Sequence, residues 1–308
     1  MTREDGGLKQ AGPDESKTLT VSVIIPTKNR AADLARTIET LLGQTVKPLE
    51  LIIVDQSPTP TFTKQTPIPV QVIHDPHLSG ASVARNIAMD RAQGAIWLFL
   101  DDDVVLEPNF IEEILKGYRE GVTGVSGIVT NYSLPPLRQT IWEKIFQIGV
   151  FHDQRQEIYR RASQYRESVP LPVRQFGAGL MSFRASTIRH HKFDSNLTGA
   201  SPGEDIDFCA GLPKESLLLI APKARLIHNR SPESRDSTPW FSVDAQVAGY
   251  MHERHWKRGF WNNVSYAWLN VGYAVVAGVS SLKNRSTAPW RAWREGVRKG
   301  KQIARGSV

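Results

Sequence analysis

Short unbroken apolar runs alternate with stretches of helical periodicity through the first part of the chain. Leu19–Pro26 is an apolar, β-branched run closing on a proline, the pattern of a buried strand. From Asp33 to Leu42, apolar Leu34, Ile38, Leu41 and Leu42 recur on one helical face. Leu49–Val54 and Val70–His74 read as a second and third strand, Ser82 to Ala92 as a helix, Ala95–Leu100 as a fourth strand, and Phe110 to Tyr118 as a helix. This alternation predicts an α/β fold with a largely parallel, doubly wound sheet over roughly the first 120 residues.

The pattern then loosens. Val122–Thr130 is strand-like, Thr140–Phe151 predicts an amphipathic helix, and Arg155–Pro172 is polar and reads as a mobile loop. Phe176–Phe183 and Leu217–Ile227 read as strands, with a helix opening at Gly203-Glu204-Asp205 between them. No internal repeat, P-loop or dinucleotide-binding glycine motif is visible, which argues against P-loop kinases and Rossmann dehydrogenases.

The fourth strand runs straight into Asp101-Asp102-Asp103. A buried strand cannot carry three adjacent unpaired charges, so it must end there and deliver the carboxylates to an open edge. Clustered carboxylates repel unless a cation neutralises them, and hard oxygen donors suit Mg²⁺ or Mn²⁺. Ligands of open α/β sheets bind just beyond such strand ends. The triplet therefore points to a divalent metal holding an anionic, phosphate-bearing substrate. The plain alternative is an acidic turn.

Charge changes the picture at the other end. The chain carries +7 overall, yet Arg254 to Val308 contains eleven Lys and Arg residues against Glu295 alone, a net +10. Such an end suits an anionic surface. It contains no nucleic-acid-binding signature, so the expected partner is a membrane rather than nucleic acid. Residues 1–18 are polar with Gly and Pro, read as a disordered tail, and resemble neither a signal peptide nor a span. The single cysteine, Cys209, fits a reducing, cytoplasmic compartment.

Four blocks, VSVIIPTKNRAADLARTIETLLGQT, ELIIVDQSP, GASVARNIAM and WLFLDDDVVLEPNF, followed by Gly203-Glu204-Asp205 and a late histidine, closely resemble the nucleotide-diphospho-sugar transferases of glycosyltransferase family 2. The resemblance covers about Leu19 to Arg230 and implies the GT-A fold, a mixed but predominantly parallel sheet with flanking helices. It implies that Pro26, Thr27 and Arg30 hold base and ribose, and that Asp55 accepts a uracil-type N3–H. Arg85 would meet the pyrophosphate or be a plain surface arginine. Asp101 and Asp103 match the outer positions of the family's Asp-x-Asp motif as metal ligands. Asp102 would contact the ribose or support the turn. Asp205 is the implied general base, with Glu204 orienting it or the acceptor, although acids also favour a helix N-terminus. Asp207 reads as a surface residue of that turn. His228 matches a histidine that completes metal coordination in many relatives. Gly179 either lets backbone approach the donor sugar or eases strand packing.

The expected activity is inverting, Mn²⁺- or Mg²⁺-dependent transfer from a nucleotide-diphospho-sugar, a UDP-sugar, to a glycan or lipid-linked acceptor. The Gln-x-x-Arg-Trp block of processive synthases is missing, so one addition per encounter is expected. The rivals are a nucleotidyltransferase acting on sugar phosphates, against which the glycine-free PTKNR turn argues, and an inactive sugar-nucleotide-binding protein. The organisation expected is a tail over 1–18, a catalytic domain over 19–240 and a basic helical segment over 241–308. Gly259 to Leu282 carries no charge over 24 residues. It reads as a hydrophobic hairpin or interfacial helix, peripheral on the inner face of the cell membrane, or else as a packed helical subdomain.

Overall fold

The computed structural model describes residues 19–131, 135–153, 158, 169–177, 179–199, 202–229 and 239–306. The expected tail over 1–18 lies outside them, as does most of the polar segment between 155 and 172.

Four strands form the parallel half of one sheet: β1 (Val21–Thr27), β2 (Glu50–Asp55), β3 (Val70–His74) and β4 (Ile96–Leu100), in spatial order 3-2-1-4. Beyond β4 the sheet becomes mixed. The strand β8 (Leu180–Arg184) runs antiparallel to both β4 and β6 (Val122–Val129). β6 in turn pairs in parallel with β9 (Leu217–His228). Two short strands, β5 (Val104–Leu106) and β7 (Leu171–Val173), complete it, each antiparallel to β9.

Alternation along the strands sorts side chains onto two cores. Val23, Ile25 and Leu98 face α1 (Ala31–Leu42) and α3 (Phe110–Gly117). Ile24, Trp97 and Phe99 face α2 (Ala81–Met89) and an aromatic cluster of Phe183, Phe193 and Phe208. Helices on both faces make the sheet doubly wound.

Several elements depart from the sequence reading. The expected helix Thr140–Phe151 is α4 (Leu137–Phe146), which ends where Gln147 and Ile148 leave helical backbone at ψ +81° and +161°, followed by a single 3-10 turn over Gly149–Phe151. The expected strand from Phe176 begins only at Leu180, because Gly179 at φ +82° turns the chain first. After α5 (Ala185–Ile188) and α6 (Glu204–Ala210), the C-terminal segment forms α7 (Trp240–Met251), α8 (Phe260–Lys283) and α9 (Ala288–Ala304). Of the hairpin and the helix expected for Gly259 to Leu282, the structure forms one continuous helix, α8, which none of its three asparagines stops.

These helices pack on the α/β body rather than hanging free. On α9, a Cβ at Gly300 would fall 2.0 Å from the Gln246 carbonyl oxygen and one at Gly296 2.3 Å from that of Ser242, so the two glycines let α9 seat directly on α7. Tyr266, Leu269, Tyr273 and Ala277 form the inner face of α8. Each large side chain buried there contributes about 1.5–3 kcal/mol. Tyr250 and Arg254 reach back to Asp194, while Arg254 and His255 hold Asp207. Asp207, expected at the surface, is therefore a buried anchor between the two parts. Among the described residues no helix is long and apolar enough to cross a membrane.

Candidate active site

The end of β4 sends the three carboxylates in different directions. Asp102 turns inward, accepting hydrogen bonds from Thr27 Oγ1 at 2.7 Å and Arg30 Nη1 at 2.9 Å. Burial pushes its pKa up to about 6, against the opposing pull of Thr27 and Arg30. Thr37 Oγ1 lies 2.8 Å from the carbonyl oxygens of both Asp102 and Val104 and accepts the Val104 N–H, which fixes the turn. Asp103 is enclosed as well, its Oδ2 3.5 Å from the same Arg30 Nη1, while Asp101 stays partly exposed at the cleft.

The short β5–β9 ladder then brings in His228. Val104 pairs with His228 in register, and the Asn229 N–H donates to the Asp103 carbonyl at 2.9 Å. The Asn131 amide brackets the His228 backbone from the other side. This leaves His228 Nε2 3.0 Å from Asp103 Oδ1 and 3.7 Å from Asp101 Oδ2. The donor atoms of the three residues all lie within 4.8 Å of one another. Two carboxylates and an imidazole at that spacing fit one divalent cation of the Mn²⁺ or Mg²⁺ kind and leave its remaining positions for a substrate.

A second acidic pair faces this group. Gly203, at φ +85°, makes the left-handed turn that starts α6 with Glu204 and Asp205. Both are buried. Glu204 accepts from Ser82 Oγ at 3.0 Å and from the Arg85 guanidinium. Burial raises its pKa and Arg85 pulls it back. The other arm of Arg85 lies 3.2 Å from Asp101 Oδ1. Arg85 thus sits beneath the site, 1% exposed, paired with both Glu204 and Asp101.

Two cavities meet this wall. One, of about 560 Å³, opens over the ends of β1 and β2, with Pro26, Thr27, Arg30, Gln56, Asp101 and Asp102 in its lining. Lys28 and the start of α2 at Gly80-Ala81 line it too, presenting a cation and helix N–H groups. The other, of about 400 Å³, is built largely from the C-terminal helices and reaches Asp205. Glu143, Asp153 and Asp244 surround it together with Phe151, Trp256 and Tyr273.

Pro26, Thr27, Arg30, Asp101 and Asp102 therefore share one cleft, as the sequence predicts. Asp55 stands behind it, fully enclosed, with its carboxylate accepting from the Ser57 N–H, the Thr61 N–H and Thr61 Oγ1. Those donors hold its pKa below the ordinary value even though burial acts the other way. Gly179 packs on Asp101: a Cβ there would lie 2.1 Å from Oδ2. Sequence reasoning missed Lys28 and Gln56, which adjoin residues it selected, and Asp244, which no local motif marks.

A mixed sheet with an acidic turn at its central strand end and a second acidic pair opposite is the GT-A arrangement of nucleotide-sugar transferases. Residues 22–187, more than half of the chain, match the glycosyl transferase family 2 domain, and the chain belongs to that family. It is 26% identical over 290 residues to the succinoglycan biosynthesis protein ExoM of Rhizobium meliloti, covering 86% of this chain and 85% of ExoM. Two solved structures share the fold at 16% identity. The mannosyltransferase PcManGT of Pyrobaculum calidifontis, in complex with GDP-Man and Mn²⁺, superposes at a TM-score of 0.53 over 94% of this chain and 87% of its own. GalNAc-T7 with UDP, GalNAc and Mn²⁺ gives 0.52 over 75% of this chain and 48% of its own.

Proposed function

We propose that this glycosyltransferase is inverting and metal-dependent, moving one sugar per encounter from a nucleoside-diphosphate donor, a UDP-sugar, to a hydroxyl of a glycan or lipid-linked acceptor. The observation that carries this reading is the convergence of Asp101, Asp103 and His228 at the end of β4, with Asp205 across the cleft.

Asp101, Asp103 and His228 would hold Mn²⁺ or Mg²⁺, which supplies Lewis-acid neutralisation of the diphosphate leaving group. Lys28, Arg30 and the N–H groups at the start of α2 meet the remaining phosphate charge. Pro26 and Thr27 border the nucleoside. Asp205 takes the proton from the acceptor hydroxyl as its oxygen attacks the anomeric carbon opposite the departing nucleoside diphosphate, which inverts that centre. Glu204 and Arg85 position this base and Asp101 relative to each other. The acceptor lies in the 400 Å³ cavity, where carboxylates accept hydroxyl hydrogen bonds and aromatic rings cover sugar faces. ExoM, by its name a succinoglycan biosynthesis protein, supports a glycan product.

An anionic membrane on the inner face of the cell membrane is the proposed docking surface, with residues 19–240 as the catalytic unit and 241–308 as the docking unit. Phe260, Val264, Trp268, Val271, Val275, Val279 and Leu282 form an exposed apolar stripe along α8. Cations bracket it, Lys257 and Arg258 before and Lys283 and Arg285 after. That combination suits an interfacial helix on anionic lipid.

The test is thermal stabilisation by a panel of nucleotide sugars with and without Mn²⁺, followed by product analysis on glycan acceptors. A donor that binds only the folded state raises its apparent stability. Metal-dependent stabilisation by one donor is expected, and Asp103→Asn is expected to abolish it while the fold persists. Unchanged donor binding in that variant would overturn the reading.

A further inference from the structure

The helix that carries Asp205 is gripped from two sides. With seven residues, α6 is too short to hold a direction of its own, so its neighbours set where Asp205 points. On the side of the sheet, Glu204 accepts from Ser82 Oγ and the Arg85 guanidinium, and Phe208 stacks on Phe193. The other side meets the C-terminal segment. A Cβ at Gly203 would fall 2.8 Å from Val247 Cγ1 on α7. Ile206 joins the apolar cluster of Tyr250, Met251 and Ile303, and Asp207 is buried against the turn that follows α7.

That turn, His252–Trp256, is π-helical, a rare conformation that recurs at functional sites. His255 Nε2 lies 2.7 Å from Asp207 Oδ1, and Arg254 Nε lies 3.0 Å from the same oxygen. The carboxylate accepts, so His255 carries a proton on Nε2. Arg254 Nη1 also reaches Asp194 at 2.7 Å, which ties the turn to the α/β body. Trp256, the next residue, lines the cavity that reaches Asp205. One turn of the C-terminal segment therefore holds α6 and forms part of the cavity wall beside Asp205.

Resting on the reading of Asp205 as the base, we infer that Arg254 and His255 are positioning residues for sugar transfer. By fixing Asp207, two residues further along α6, they hold the Asp205 carboxylate against the acceptor hydroxyl. Residues 241–308 then complete the catalytic unit and are not a docking unit alone. The metal group is fixed separately, by the end of β4 and the β5–β9 ladder. Loosening Asp207 therefore moves the base and leaves donor binding in place.

Steady-state transfer by the full chain tests this, using the donor selected by the thermal panel, with calorimetry of its nucleoside diphosphate and Mn²⁺ alongside. The His255 side chain is 19% exposed, so His255→Ala should keep the fold. Its kcat at saturating acceptor should fall at least about tenfold, because misplacing a reacting group by an ångström costs up to about 10²-fold. Affinity for the nucleoside diphosphate should stay unchanged. His255→Gln returns an amide N–H to the place of Nε2 and should recover most of the lost kcat. A purely structural contact would lower the melting temperature and leave kcat of the folded protein intact. Should His255→Ala fail to fold, Arg254→Lys, which keeps the charge without the fork that joins Asp194 to Asp207, gives the same readout. Unchanged kcat in the folded variant would overturn the inference, as would an equal loss of nucleotide affinity or no recovery in His255→Gln. All three outcomes leave the base reading standing while Asp205→Asn is inactive. If Asp205→Asn kept near-normal turnover, that reading would fall and this one with it.

Discussion

Gly179 and Asp101 claim the same space: a Cβ at position 179 would lie 2.1 Å from Oδ2 of Asp101. The backbone at 179 also sits at φ +82°, where a side chain is strained. The Asp101 carboxylate therefore keeps its place because residue 179 has no side chain. Gly179→Ala should cost about 1–3 kcal/mol in strain. It should also turn Asp101 away from His228, so that Mn²⁺-dependent donor affinity falls more than stability does. Parallel denaturation and titration measurements check both effects.

Arg85 is buried between Glu204 and Asp101, and its removal leaves both carboxylates without their cation. Breaking a buried pair from one side costs about 3–5 kcal/mol. Arg85→Met should approach that loss in chemical denaturation. Glu204→Gln should be milder, since Asp101 still faces the guanidinium.

The proposed mechanism gives the neighbours Asp205 and Glu204 separable roles. Asp205→Asn should retain donor and metal binding but lose transfer by roughly 10²–10⁴-fold, the usual worth of a positioned general base. Single-turnover measurements at saturating acceptor decide it. Near-normal turnover would assign the base elsewhere.

Asp244 borders the second cavity among Glu143, Asp153 and Asp205. Burial, reinforced by Glu143 and Asp153, raises its pKa from 3.8 to about 7. An acid whose folded pKa lies above its unfolded one holds extra protons in the native state. Its contribution to stability is complete below about pH 4 and is lost as pH rises to about 7. Asp244→Asn should therefore be more stable than wild type at pH 8, by up to about 4 kcal/mol at 1.36 kcal/mol per pKa unit, and equal to it near pH 4. Melting curves across pH test the sign.

The outer face of α8 exposes Trp261 at 75% and Leu282 at 81%. The protein should float with anionic vesicles at low salt and be only partly released by high salt, which screens the cations but not apolar insertion. Replacing Phe260 and Trp261 with serine should weaken flotation without loss of fold, because the inner face carrying Tyr266, Leu269 and Tyr273 is untouched. A full-length protein that stays soluble with such vesicles would end the membrane proposal.

The sequence by itself determined the parallel half of the sheet and the place where it opens. An apolar run such as Ile96–Leu100 must be buried, and Asp101-Asp102-Asp103 must not continue it, so strand, strand end and acidic cluster are local consequences of solvation. The same locality carried Thr27 and Arg30 into the cleft. Only the tertiary structure decided which of the other polar residues line the cleft. Asp55 and Gln56 are adjacent, yet the first is sealed by Ser57 and Thr61 and the second lines the cleft. Asp207 reads as a surface position and Arg85 as a pyrophosphate contact or a surface arginine; both are buried, with partners 48 residues away at His255 and 119 away at Glu204. His228 meets Asp103 through the β5–β9 ladder, whose three-residue strand β5 leaves no periodicity to read. Burial and pairing at these sites depend on contacts distant in sequence, while hydrophobic patterning reports only a residue's neighbours along the chain.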